Sequence, residues 1–182
     1  MAFRYSGRRF VPVPAAGEAA LRFRVNASDF ATLAAPEEEP DDGRFLHEGH
    51  PVTNRRLRAA FDRGVRWLPA DGKYVVTLGH FRGQVDVEEA GFFVRSIDLA
   101  TGRIALSDGT EDRLEPASLR ASALDPDVLL CTVKRDVAPF GVPARFLRSA
   151  QAELLAAVES GADGLVVHVG GAAYPLPSAL VV

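Results

Sequence analysis

The chain has 182 residues, 47% of them hydrophobic and 25% charged, with a formal net charge of −3. That is ordinary globular composition, long enough for one domain or two small ones, and its acidic balance gives no global attraction to nucleic acid or an anionic membrane. No run approaches the about 18 apolar residues of a membrane span, and a single cysteine, Cys131, excludes an intrachain disulfide.

The opening decapeptide, Met1 to Phe10, lacks the apolar stretch of a signal peptide, so a cytoplasmic location is expected. Residues 1–35 read as a β-rich extension. Phe3 to Tyr5 and Phe10 to Val13 are placed to pair across Gly7, and Leu21 to Val25 alternates apolar with basic, the period of a half-buried strand. An acidic, Pro-containing linker follows over 36–42. Its run Pro36-Glu37-Glu38-Glu39-Pro40-Asp41-Asp42 holds five acids and two prolines, which oppose a packed element.

A first α+β repeat is expected over 43–98. Thr53 or Asn54 suits an N-cap, and Leu57, Ala60, Phe61, Val65 and Leu68 recur at helical spacing. A helix from about Arg55 to Leu68 is therefore predicted. At about 100° per residue, Arg55, Arg56, Arg58, Arg63 and Arg66 fall on its far side, interrupted only by Asp62. Pro69, Asp71 and Gly72 end that helix. Tyr74 to Leu78 and Gln84 to Glu88 then read as paired strands around a loop, Gly79 to Gly83.

The second repeat, 99–182, is richer in β signals, and the strand Phe92 to Leu99 leads into it. Arg103 to Ser107, Leu119 to Leu124 and Val128 to Val133 are strand-like. A helix beginning near Pro143 is expected to carry Leu147, Ala150, Leu154, Leu155 and Val158 inward and to stop at Gly161. Leu165 to Val169 and Ala172 to Leu176 then flank Gly170-Gly171, a two-residue hairpin turn. The fold class that follows is α+β, mostly antiparallel β-hairpins with two amphipathic helices, arranged as two similar repeats.

Catalytic signatures are scarce. There is no G-x-x-x-x-G-K-[ST] loop, no G-x-G-x-x-G after a strand and no G-x-S-x-G elbow. His47-Glu48-Gly49-His50 falls one residue short of H-E-x-x-H, and in a strand its two histidines would point to opposite faces. A metal site would need His80 or His168 folded nearby. Cys131 lies in an apolar strand and reads as inert core. Asp86, Glu88 and Glu89 read as solvated carboxylates of a hairpin. Lysine occurs only at Lys73 and Lys134, leaving few candidate Schiff-base formers; the dominance of Arg and Ala most simply reflects GC-rich bacterial codon usage. No catalytic residue, cofactor or metal is expected. The arginines at 55, 56, 58, 63 and 66 are the candidate partner-binding set, suited to an acidic or phosphorylated surface.

Four stretches carry a family resemblance. Gly49-His50-Pro51-Val52-Thr53-Asn54-Arg55-Arg56-Leu57 is similar to a G-x-P-h-x-R-x-x-L helix start, and Asp71-Gly72-Lys73-Tyr74-Val75-Val76-Thr77 is similar to a D-G-x-Y-x-L-V-T strand. Val87-Glu88-Glu89-Ala90-Gly91-Phe92 is similar to a V-E-D-A-P-F strand end, and Pro139-Phe140 to a Pro-Tyr pair. In these the chain resembles a bacterial family catalogued as a domain of unknown function. The match is loose over 43–176 and specific over 43–94. Gly91 replaces the usual Pro, and Pro143 interrupts the basic helix start. The resemblance implies two α+β repeats and a regulatory or signalling role. The expected function is a non-enzymatic interaction module whose partner is a protein or a small molecule, with nucleic acid and membrane disfavoured and a homo-oligomer compatible with the sequence. The alternative is a small-ligand-binding protein or enzyme with its site between the two repeats.

Overall fold

A computed structural model describes residues 4–5, 8–11, 23–25, 45–47, 50–162 and 164–176, with side chains at Phe45 and over 52–80, 82–162 and 164–176. The acidic linker lies outside the described residues. The chain divides into two compact units, Met1–Gly91 and Phe92–Val182.

In the first unit the strands are β1 (Arg4–Tyr5), β2 (Arg8–Val11), β3 (Phe23–Val25), β4 (Leu46–His47), β5 (His50–Pro51), β6 (Val65–Leu68), β7 (Lys73–Leu78) and β8 (Phe81–Val87), with helix α1 at Arg55–Gly64. The sheet runs β1-β2-β8-β7-β6, with β3 parallel to β8, and β4 pairs separately with β5. The N-cap of α1 is Asn54, whose Oδ1 accepts the Leu57 N–H at 3.1 Å. The helix packs on β7 and ends at Gly64, not at Leu68. A Cβ on Gly64 would press on the Thr77 carbonyl oxygen at 2.5 Å and the Val76 side chain at 2.8 Å, so only glycine permits this approach. Beyond it Val65-Arg66-Trp67-Leu68, β-branched and aromatic, pairs antiparallel with β7. The spacing of Phe61, Val65 and Leu68 that suggested one long helix is shared between a helix and a strand.

The core of this unit gathers Phe45, Phe61, Val65, Val75, Val76 and Val85. The Phe45 and Phe61 rings lie 4.7 Å apart, tilted by 41°. The expected five-residue loop between β7 and β8 is a two-residue turn, Gly79-His80, with Gly79 at φ 59° and Leu78 opposite Phe81. Gly83 lies within β8, opposite Val76.

The second unit contains β9 (Phe92–Asp98), β10 (Arg103–Leu106), β11 (Glu111–Arg113), a 3-10 turn (Pro116–Ser118), β12 (Arg120–Ala121), β13 (Leu129–Val133), β14 (Val142–Phe146), α2 (Arg148–Ala156), β15 (Val158–Gly161), β16 (Gly164–Val169) and β17 (Ala172–Pro175). Its six-stranded sheet runs β11-β10-β9-β14-β13-β12. All neighbours are antiparallel except β14 and β9, which pair in parallel from Ala144 opposite Phe92 to Phe146 opposite Val94. Pro143 is a strand residue, not a helix start. It lies just before the segment bonded to β9, where its missing N–H costs no ladder bond on that side. Helix α2 packs on β9 through the buried Ala150 and Leu154. Leu155 is exposed and Val158 opens a strand, so the expected inward stripe is shorter than the spacing suggested. Strands β15, β16 and β17 form a separate antiparallel sheet, and Gly170-Gly171, both at positive φ, make the turn between the last two.

The described architecture is α+β: mixed but mostly antiparallel sheets with two helices. In both units an antiparallel three-stranded meander follows the helix directly, β6-β7-β8 after α1 and β15-β16-β17 after α2.

Candidate functional site

The five arginines do not form one set. Arg55 and Arg56 occupy the first turn of α1 and Arg63 its last, and all three are exposed. Arg56 and Arg63 lie seven residues apart, so they stack on nearly the same side of the helix, roughly 10 Å apart along its axis. Arg58 is half-buried and engaged within the chain. Arg66 lies on β6, off the helix. One of its guanidinium nitrogens sits 2.6 Å from both the Arg63 and the Val65 carbonyl oxygens and donates to them, so it satisfies backbone acceptors at the end of α1. Asp62, the interrupting acid, is only 2% exposed and engaged in the interior.

Electrostatically, the first turn of α1 carries two cations and no acid. Cations there oppose the helix dipole, which costs a few tenths of a kcal/mol to about 1 kcal/mol each at the surface. None of Arg55, Arg56 and Arg63 makes an ion pair among the described residues, whereas Arg103 meets Glu111 at 3.2 Å, Arg135 meets Glu115 at 2.5 Å and Arg145 meets Asp125 at 3.4 Å. The arrangement can hold an anion from solvent by bidentate hydrogen bonds.

The other candidate residues are dispersed. His47 and His50 are not three positions along one strand; they are register partners across the β4–β5 ladder, and the residues between them lie outside the description. No group of three or more His, Cys, Asp or Glu side chains placed to hold a metal occurs among the described residues. His80 is exposed at the β7–β8 turn and Glu88 is exposed, Asp86 and Glu89 are half-buried, and all four are engaged within the chain. His168 sits 3.4 Å from Glu159, two exposed side chains on neighbouring strands of the small sheet. Cys131 is buried in β13. Desolvation, reinforced by the Asp112 charge, pushes its thiol from 9.0 up to about 12.

One polar cluster had no sequence signature. Lys134 adopts φ 61°, a left-handed backbone rare for a side-chain-bearing residue. Its ammonium meets Asp108 at 3.0 Å and the Thr110 hydroxyl, and stands 5.3 Å from the centre of the Phe92 ring. Its backbone N–H donates to Asp112 Oδ2 at 2.6 Å. The partners are scattered along the chain, and only the folded β10–β11 and β13–β14 segments bring them together.

No helix among the described residues is long and apolar enough to cross a membrane. No family model and no curated protein matches the chain. A crystal structure of a DUF1285 family protein from Silicibacter pomeroyi DSS-3 is similar to it, with a TM-score of 0.50 and 13% identity over 75% of this chain and 76% of that one. At this identity the likeness shows the fold alone, and the fold it shows is that of a family labelled as a domain of unknown function.

Proposed function

We propose that this protein is a non-enzymatic, regulatory interaction module whose α1 surface engages an acidic segment of a partner protein. The reading is carried by the exposure of Arg55, Arg56 and Arg63, cations without an ion pair among the described residues, two of them set against the helix dipole. A solvated structural helix gains nothing from that placement, whereas an anion-binding surface does. The shared order of helix and three-stranded meander in the two units supports reading them as repeats of one α+β element.

The test uses a fluorescein-labelled octaglutamate peptide and measures anisotropy with the 182-residue chain at about 20 and 200 mM salt. Binding that weakens with salt and is lost in the triple variant Arg55→Glu/Arg56→Glu/Arg63→Glu supports the reading. Equal binding by that variant, or no binding by the native chain, rejects it. Tighter binding to an oligouridylate of equal charge would move the surface to nucleic acid.

A further inference from the structure

We propose that the loop joining β13 to β14 is a second docking element, which inserts Phe140 into an apolar, basic-rimmed pocket on a partner protein. Phe140 is 92% exposed and Val137, three residues earlier, is 43% exposed. Surface apolar side chains are common singly, but a phenylalanine with almost no buried area contributes nothing to its own fold.

The loop that carries it is braced from both ends. At its start Lys134 is fixed by Asp108, Thr110, Asp112 and the Phe92 ring. The Lys134 carbonyl accepts the N–H groups of Val137 at 3.2 Å and Ala138 at 2.8 Å. At its end the Gly141 N–H donates to the Ala138 carbonyl at 2.6 Å, and Gly141 holds φ 66° where a Cβ would run into Thr132. Ala138 is buried at 5% exposure. Phe140 therefore projects between two anchored residues. With its backbone held in this way the loop loses little main-chain freedom on docking, and aromatics dominate binding hot spots.

Charge selects the class of partner. Lys134 is balanced by Asp108 and Arg135 by Glu115, which leaves Asp136, exposed and without an ion pair among the described residues. The loop is thus neutral to weakly acidic. Phosphate-rich surfaces, nucleic acid or anionic lipid, gain nothing from it, whereas an apolar protein pocket with a Lys or Arg at its rim complements both Phe140 and Asp136. This surface lies in the second unit and prefers the opposite charge to the α1 face, so either proposal can fail alone.

The experiment places the photo-crosslinker p-benzoylphenylalanine at position 140 of the full chain in living bacterial cells, with Leu124 and Leu155 as control positions. A protein captured from 140 and not from the controls is then purified and used as the probe. Phe140→Ala is expected to weaken its binding about thirtyfold, Asp136→Arg to weaken it severalfold, and Phe140→Leu to fall between native and Phe140→Ala, with thermal unfolding unchanged in all three. Equal capture from the control positions, capture only of this same chain, no capture at all, or a change below twofold for Phe140→Ala each overturns the proposal.

Discussion

Replacing Phe61 by alanine tests the core of the first unit most directly. Phe61 is 1% exposed, its ring packs 4.7 Å from Phe45, and it is the largest fully buried side chain on α1. Burial of a phenylalanine is worth about 1.5–3 kcal/mol, the aromatic pair adds about 0.5–1.5 kcal/mol, and the cavity left behind brings the loss to about 3–5 kcal/mol. Trp67, the only tryptophan, provides the assay, because it lies on β6 with its ring 4.8 Å from Tyr74 in the same unit. Its fluorescence in urea reports this unit alone. With a slope of about 1.5 kcal/mol per M, a loss of 3 kcal/mol lowers the midpoint by roughly 2 M. Phe61→Leu, which keeps most of the volume, is expected to cost about 1–1.5 kcal/mol and remains measurable if the alanine variant does not fold. Arg63→Ala, on the exposed side, is expected to change stability by less than about 0.5–1 kcal/mol. If Arg63→Ala lowers the midpoint as far as Phe61→Ala, the division of α1 into a buried and a free side is wrong.

Cys131 is expected to resist a thiol reagent at pH 8 in the native state and to react on unfolding. Because its folded pKa is raised from 9.0 to about 12, its contribution to stability is intact below pH 9 and declines as pH rises toward 12, and Cys131→Ala should flatten that alkaline loss in a pH series of melts. Lys134→Ala should cost about 3 kcal/mol or more by calorimetry, since it leaves the Asp108 carboxylate, 2% exposed, without its ammonium; a change under 0.5 kcal/mol would show the pair to be dispensable. Arg66→Ala should lower the Trp67 transition by about 0.5–1.5 kcal/mol through loss of its bonds to the end of α1, with Arg66→Lys recovering only part.

What the sequence made legible were features fixed by local chemistry. Asn54 caps α1 because its short side chain reaches the Leu57 N–H, and Gly170-Gly171 turns because glycine accepts positive φ at no steric cost. The errors arose where one pattern satisfies two structures. Phe61, Val65 and Leu68 fit a helical stripe, but Gly64 sits against β7 and the next four residues complete the sheet. Pro143 fits a helix start as well as the open end of a strand, and only pairing with β9 decides between them. At the candidate site, the presence of the arginines was readable and their division was not. Arg66 becomes a backbone donor only because the chain bends into β6 immediately after Gly64. The departure at Gly91 is also explained in three dimensions, since a Cβ there would enter the Tyr74 ring. The Lys134 cluster was invisible because it rests on long-range partners and an unusual backbone angle.

The parallel pairing of β14 with β9 has a consequence for the order in which the protein is made. As the chain leaves the ribosome, β9, β10 and β11 can form their meander at once, because each pairs with its neighbour in sequence. The other edge of β9, the run Phe92-Phe93-Val94 that is buried in the finished sheet, stays open until β14 emerges. An apolar strand edge is a template for pairing with other chains, and contacts distant in sequence form slowly. Nascent or truncated chains that end before Val142 therefore present the most aggregation-prone surface of the second unit. The arrival of five residues, Val142 to Phe146, closes it on one side against β9 and on the other against β13.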